Sequence, residues 1–118
     1  MRGMEYDELI QGALSPLPCP VSKAPAGGSH ETYVTFNEVL ESYTRHSSNA
    51  PRRILHSIQV HAFSKRDDGT CYTIIRKAIG LLRAAGVRVY SCGPDLYEDN
   101  TGYHHITATC EWAQPMTD

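Results

Sequence analysis

The chain has 118 residues, 41% of them hydrophobic, with 11 basic and 13 acidic side chains and a formal charge of −2. That suffices for one domain with a real core, and the charge is too balanced for the basic face of a nucleic-acid or anionic-membrane binder. Cys19, Cys71, Cys92 and Cys110 form no C-x-x-C pair, which argues against a zinc knuckle or dithiol centre and for reduced thiols in a cytoplasmic protein. No apolar run reaches the roughly 18–20 residues that span a bilayer, and no secretory h-region stands at the N-terminus.

In chain order, Met4 to Leu14 reads as a short amphipathic helix. Tyr6, Leu9, Ile10, Ala13 and Leu14 recur at helical spacing, with acidic residues early, near the positive end of the dipole. Pro16, Pro18 and Pro20 exclude regular helix, so Pro16 to Gly28 is expected to be irregular, with Val21 as a lone anchor on the core. From Thr32 the period becomes two. Tyr33-Val34-Thr35-Phe36 is rich in strand formers, and Val39 to Tyr43 is read as continuing the strand after a bulge at Asn37-Glu38, with a helix from Phe36 to Tyr43 as the competing reading. Residues 45–53, with Pro51, read as a long exposed loop. Ile54 to Ser64 is the clearest strand: Ile58, Val60 and Ala62 share one face, Gln59, His61 and Phe63 the other. The two strands are expected to form an antiparallel hairpin through the 45–53 loop.

Asp67-Asp68-Gly69 is a turn, and Asp68 or Thr70 can cap the next helix. Over residues 71–85, Ile74, Ile75, Ala78, Ile79, Leu81, Leu82 and Ala85 make a broad apolar face, and Gly86 stands where a helix ends. Val87 to Tyr90 alternates as a strand that Gly93-Pro94 turns. The acidic segment Asp95 to Asn100 follows, and Tyr103 to Trp112 is a closing strand. The expected fold is α+β and two-layered: an antiparallel four-stranded sheet of two β-hairpins with two helices, in the order α-β-β-α-β-β. A single domain is expected over 1–118, comprising the N-terminal helix (1–14), the Pro/Gly-rich segment (15–30), the sheet and main helix (31–113) and a short tail (114–118).

Chemistry is mostly missing. His104 and His105 are neighbours on a strand and point to opposite faces, and no H-x-H or H-E-x-x-H spacing is present. His56 and His61 are read with them as surface or edge-strand histidines. Pairings such as Cys71–His61 or Cys92–His104 lack any motif that supplies an oriented base. Asp95, Glu98 and Asp99 lack the D-x-D-x-D-G ligand series for calcium, and Gly27-Gly28 has no Walker lysine. Phe63 and Tyr90 could stack bases as in ferredoxin-like RNA-binding sheets, but the aromatic run of that motif is absent. No enzyme activity, cofactor or metal is therefore expected.

Three segments, in order, resemble a known family. Thr32-Tyr33-Val34-Thr35-Phe36-Asn37-Glu38 and Ile58-Gln59-Val60-His61-Ala62-Phe63-Ser64-Lys65 look like the paired strands of the siphophage tail-to-head joining proteins, also called tail terminators or tail completion proteins. Those proteins carry "Y-I-T-F" and then "I-Q-V-D-I-W-S-K"; His61 here stands for the common Asp and Phe63 for Trp. Pro94-Asp95-Leu96-Tyr97-Glu98-Asp99-Asn100-Thr101-Gly102-Tyr103-His104-His105 looks like the family's "D-L-Y-E-x-D-T-x-x-Y-H" stretch. The resemblance covers about residues 17–112, with the 71–85 helix in its expected place.

It implies a virion structural protein, assembled in the cytoplasm of a bacterial host and located at the head–tail interface. Free subunits would be monomeric or weakly associated, then form a hexameric ring on the end of the tail tube. That ring stops tube growth and meets the head connector or stopper, and DNA passes through its lumen without specific binding. A neutral middle segment suits this, since 31–113 carries nine side chains of each sign. A portal-side neck adaptor is the alternative reading, followed by a small nucleic-acid- or ligand-binding module. Interface candidates are Arg45, Arg52 and Arg53 on the long loop, with Asp95, Glu98 and Asp99 as possible opposite charges.

Overall fold

The structure, a computed structural model, describes residues 5–24, 30–44 and 53–115. The elements are α1 (Tyr6–Leu14), β1 (Val21–Lys23), β2 (Thr32–Thr44), β3 (Arg53–Ser64), α2 (Thr70–Ala84), β4 (Arg88–Glu98) and β5 (Tyr103–Pro115). They build a two-layer α+β domain around a five-stranded mixed sheet ordered β1-β2-β3-β5-β4, not the four-stranded antiparallel sheet that the sequence suggests. The two hairpins are present, but the element order is α-β-β-β-α-β-β.

The extra strand arises inside the proline-rich segment. Val21 to Lys23 pairs parallel with Val34 to Phe36, and the Val34 N–H donates to Pro20 O at 2.9 Å while the Ala24 N–H donates to Phe36 O at 2.8 Å. Pro20 needs only its carbonyl there, so a residue without an N–H fits at the entry to an edge strand. Three residues are too few for a period of two to register, and the pairing is supplied by the outer edge of β2.

β3 is central. It pairs antiparallel with β2 and, over its whole length from Arg53↔Pro115 to Ser64↔His104, with β5. Its alternation follows the expected faces: Ile58, Val60 and Ala62 are fully buried. The β2 register slips between Glu38 and Leu40, leaving Val39 as the bulged residue, just beyond the expected bulge position. β4 departs further from expectation. It does not turn at Gly93-Pro94 but runs on to Glu98, with a register shift between Cys92 and Asp95. Proline is tolerated there because β4 is an edge strand with no outer partner among the described residues to receive an N–H.

Both helices cover one face of the sheet. Ile10 and Leu14 of α1, and Cys71, Ile74, Ile75, Ala78 and Leu82 of α2, bury against Val34, Phe36, Ile58, Val60, Ile106, Ala108 and Cys110. α2 starts at Gly69, whose φ of +84° suits glycine, and the Asp68 carboxylate accepts the Thr70 N–H at 3.1 Å. It ends in a Schellman motif: the Val87 N–H donates to Leu82 O and the Gly86 N–H to Arg83 O. Among the described residues the helical layer ends at Tyr6, which stacks on His56, and the β2–β3–β5 end of the sheet runs on past it as an arm. The molecule measures 53 × 25 × 23 Å.

Candidate assembly surfaces

The sheet face without helices carries a continuous row of rings. Tyr33 stacks on Phe63 (4.7 Å between centroids), and Phe63 stacks on His105 (4.2 Å). Tyr103 meets Tyr33 and Phe63 edge-on, and its hydroxyl donates to His30 O. Phe63 thus points away from the helices as expected, but neighbours on β2 and β5 occupy both faces of its ring. Tyr90, the other stacking candidate, donates its hydroxyl to Glu111 at 2.8 Å. A base-binding platform needs ring faces open to solvent, and Phe63 offers none.

Two strand edges look outward. β1 shields β2 only along Val34 to Phe36, so the edge beyond it, from residue 37, has no strand partner among the described residues. The exposed apolar residues Val39, Leu40 and Tyr43 lie there, Tyr43 at 67%. The second edge is β4, where Tyr90, Leu96 and Tyr97 are exposed. Unpaired edges bearing apolar side chains are templates for another chain unless something covers them. They differ in place as well as sequence. Leu40 and Tyr43 lie at the arm, across from Ser57 and Ile54, whereas Leu96 and Tyr97 lie beside His105 and His104 at the opposite end.

Arg45 and Arg52 fall outside the described residues, as does most of the 45–53 loop. Arg53 opens β3 at the arm, exposed and paired in register with Pro115. Asp95 and Glu98 sit on β4 opposite Ile106 and Tyr103, and Asp99 begins the turn after it. Arg53 lies opposite Pro115, whereas Asp95 and Glu98 lie opposite Ile106 and Tyr103, so they are separated along β5 by roughly 30–40 Å at the usual rise. They cannot meet within one subunit. Asp95 and Glu98 also pair with residues of opposite faces, so the acidic trio does not converge on a calcium-sized site.

The catalytic pairings do not assemble. Cys71 lies beneath α2, donating to Ala62 O at 3.3 Å, while His61 is on the far side of the sheet. Burial pushes the Cys71 thiol up to about 11 and the Cys110 thiol up to about 12, away from nucleophilic use. Cys92 pairs with Ala108, four positions along β5 from His104. His104 instead faces Asp67, at 2.6 Å.

One constellation missed by sequence reading is Glu38, Glu41 and His56, whose ligand atoms lie within 4.8 Å of one another. His56, expected at the surface or on an edge strand, is instead 2% exposed on the central strand β3. Its Nδ1 contacts Glu38, its Nε2 lies 2.6 Å from Gln114 Oε1, and its ring stacks between Tyr6 and Trp112. Both ring nitrogens already have partners, so the group reads as a polar plug closing the core where the helices end.

The sequence matches no protein family and no curated protein. The fold, however, is similar to a chain in the solved structure "Virion of native gene transfer agent (GTA) particle". The likeness has a TM-score of 0.55 at 12% identity and covers 94% of this chain and 87% of that one. At that identity the shared property is the fold, and it extends over nearly the whole domain. No helix among the described residues is long and apolar enough to cross a membrane.

Proposed function

We propose that this protein is a non-enzymatic virion component of the tail-completion type: a subunit that assembles as a ring on the end of a phage tail tube and joins the tail to the head connector. The observation that carries the reading is the fold shared, over 94% of the chain, with a component of a phage-like virion particle. The three sequence segments that resemble tail-to-head joining proteins support it independently. They fall on β2, on β3 and on the β4–β5 hairpin, the elements that frame the two edges.

Ring closure needs a head-to-tail contact, in which one patch of a subunit meets a different patch of the next. The arm edge with Leu40, Tyr43 and Arg53 is one patch; the β4 edge with Leu96, Tyr97 and the acidic Asp95, Glu98 and Asp99 is the other. Apolar side chains give the contact its energy, and opposite charges set its direction and register. A hexamer is the proposed closed form, with Arg45 and Arg52 as further interface candidates from the sequence. The lumen passes DNA without gripping it, consistent with the neutral composition of the domain.

The decisive experiment is negative-stain microscopy of purified tail tubes with and without the protein, alongside light scattering of the protein alone. A ring at one tube end, with tubes that no longer lengthen, establishes the role. Binding to portal-bearing heads while tubes stay uncapped moves the assignment to a neck adaptor. Binding to neither refutes both.

A further inference from the structure

On the helix-free face, His61 of β3 and His105 of β5 bring Nδ1 and Nε2 to within 2.9 Å of each other. What surrounds the pair decides which atoms carry the protons. His61 Nε2 lies 2.9 Å from Asn37 Oδ1, an acceptor, so the ring proton belongs on Nε2 and Nδ1 keeps its lone pair. His105 Nδ1 faces the Glu98 carboxylate at 3.4 Å, which draws the proton to that nitrogen and leaves a lone pair on Nε2. Two acceptors therefore face each other at contact distance. The Thr107 hydroxyl lies 3.1 Å from one and 3.3 Å from the other, and its single O–H satisfies only one of them.

A cation resolves this conflict. Metal-binding histidines characteristically donate their second ring N–H to a carbonyl or carboxylate, as Asn37 and Glu98 allow here. With metal–nitrogen bonds of about 2.0–2.1 Å, nitrogens 2.9 Å apart subtend about 90° at the ion. That is the angle between adjacent ligands in octahedral or square-planar complexes; the nitrogens point at each other, with ring centroids 5.1 Å apart, so binding swings each ring by roughly 45° to aim its lone pair at the ion. The pocket above them, bordered by Ala24, Tyr33 and Thr35, leaves the remaining coordination positions to water.

We infer that His61 and His105 form a binding site for a divalent transition-metal ion of borderline softness, such as Ni²⁺ or Zn²⁺, with Asn37 and Glu98 accepting the second ring N–H of each. The inference does not depend on the assembly role, and its test needs no tail tubes. Calorimetric titration of the untagged full chain with NiCl₂ and with ZnCl₂ at pH 7.5 is expected to show one ion per chain at micromolar affinity. His61→Gln and His105→Gln should each weaken it at least tenfold, with circular dichroism confirming that the variants are folded. Glu38→Gln should bind as the parent does, separating this site from the Glu38–Glu41–His56 group. Binding should also fall at pH 5.5, where protons compete for the imidazoles. No saturable binding by the parent chain overturns the proposal. So does binding that persists in both histidine variants, or that vanishes in Glu38→Gln.

Discussion

Glu38 and Glu41, three positions apart on β2, project to the same side of the sheet because the register slips at Val39 and sets them opposite Ile58 and His56. An unbroken strand would have sent them to opposite faces. The bulge also bends the strand and adds twist where the arm leaves the helical layer. Deleting Val39 keeps both pairings, since Leu40 already lies across from Ser57. The variant is expected to stay folded, with a melting temperature within about 5 °C of the parent, a change of ~1 kcal/mol or less. The arm would leave at a different angle, and tube capping should fail. Thermal melts together with tube microscopy check both halves.

His56 is the more sensitive member of that group. Its removal strips partners from Glu38 and Gln114 and empties the slot between Tyr6 and Trp112. His56→Ala is expected to cost about 2–4 kcal/mol in urea unfolding. Glu41 is exposed, and Glu41→Gln should cost less than about 0.5 kcal/mol. Equal costs would show that the plug does not hold the end of the core.

The buried thiols make stability depend on alkaline pH. Cys71 and Cys110 are held at about 11 and about 12 in the folded chain, against 9.0 for a free thiol. A raised folded-state pKa means that the native state holds the proton longer than the unfolded state. Their contribution is full below pH 9 and lost as pH rises through 11 and 12. Denaturant midpoints should fall over that window, and Cys71→Ala/Cys110→Ala should flatten the fall. At pH 8 the exposed Cys92 should react with a thiol reagent in the native protein, while Cys71 and Cys110 react only on unfolding.

The two edges are separable from the fold. Leu40→Asp and Leu96→Asp place charges at exposed positions and should change stability by no more than about 0.5 kcal/mol. Either should abolish ring formation if both edges meet in the assembly. The charge reversals Arg53→Glu and Asp95→Arg should each impair capping and restore it when combined. Absence of mutual rescue would remove that pair from the interface.

Much of the fold was legible because its periods are long. Ile54 to Ser64 alternates without interruption, and residues 71–85 keep an apolar face for four turns, so β3 and α2 fall within a residue or two of their expected bounds. β1 was not legible. Its three residues carry no period, and its partner is chosen by main-chain groups of β2. Gly93-Pro94 suggested a turn on local grounds, whereas the ladder to β5 carries β4 past it. His61 and His105 lie 44 positions apart; only the antiparallel β3–β5 register makes them neighbours. The Glu38–His56 contact needed the bulge, whose presence was foreseeable but whose exact residue decides the facing.

The small strand β1 does more than widen the sheet. It occupies the β2 edge along three residues and then stops. Among the described residues, a foreign strand laid against the edge from residue 37 would meet Ala24, whose N–H already donates to Phe36 O. The N-terminal segment thus acts as a built-in end-stop, limiting how far an incoming chain can slide and so selecting one alignment among the many that a bare edge would allow.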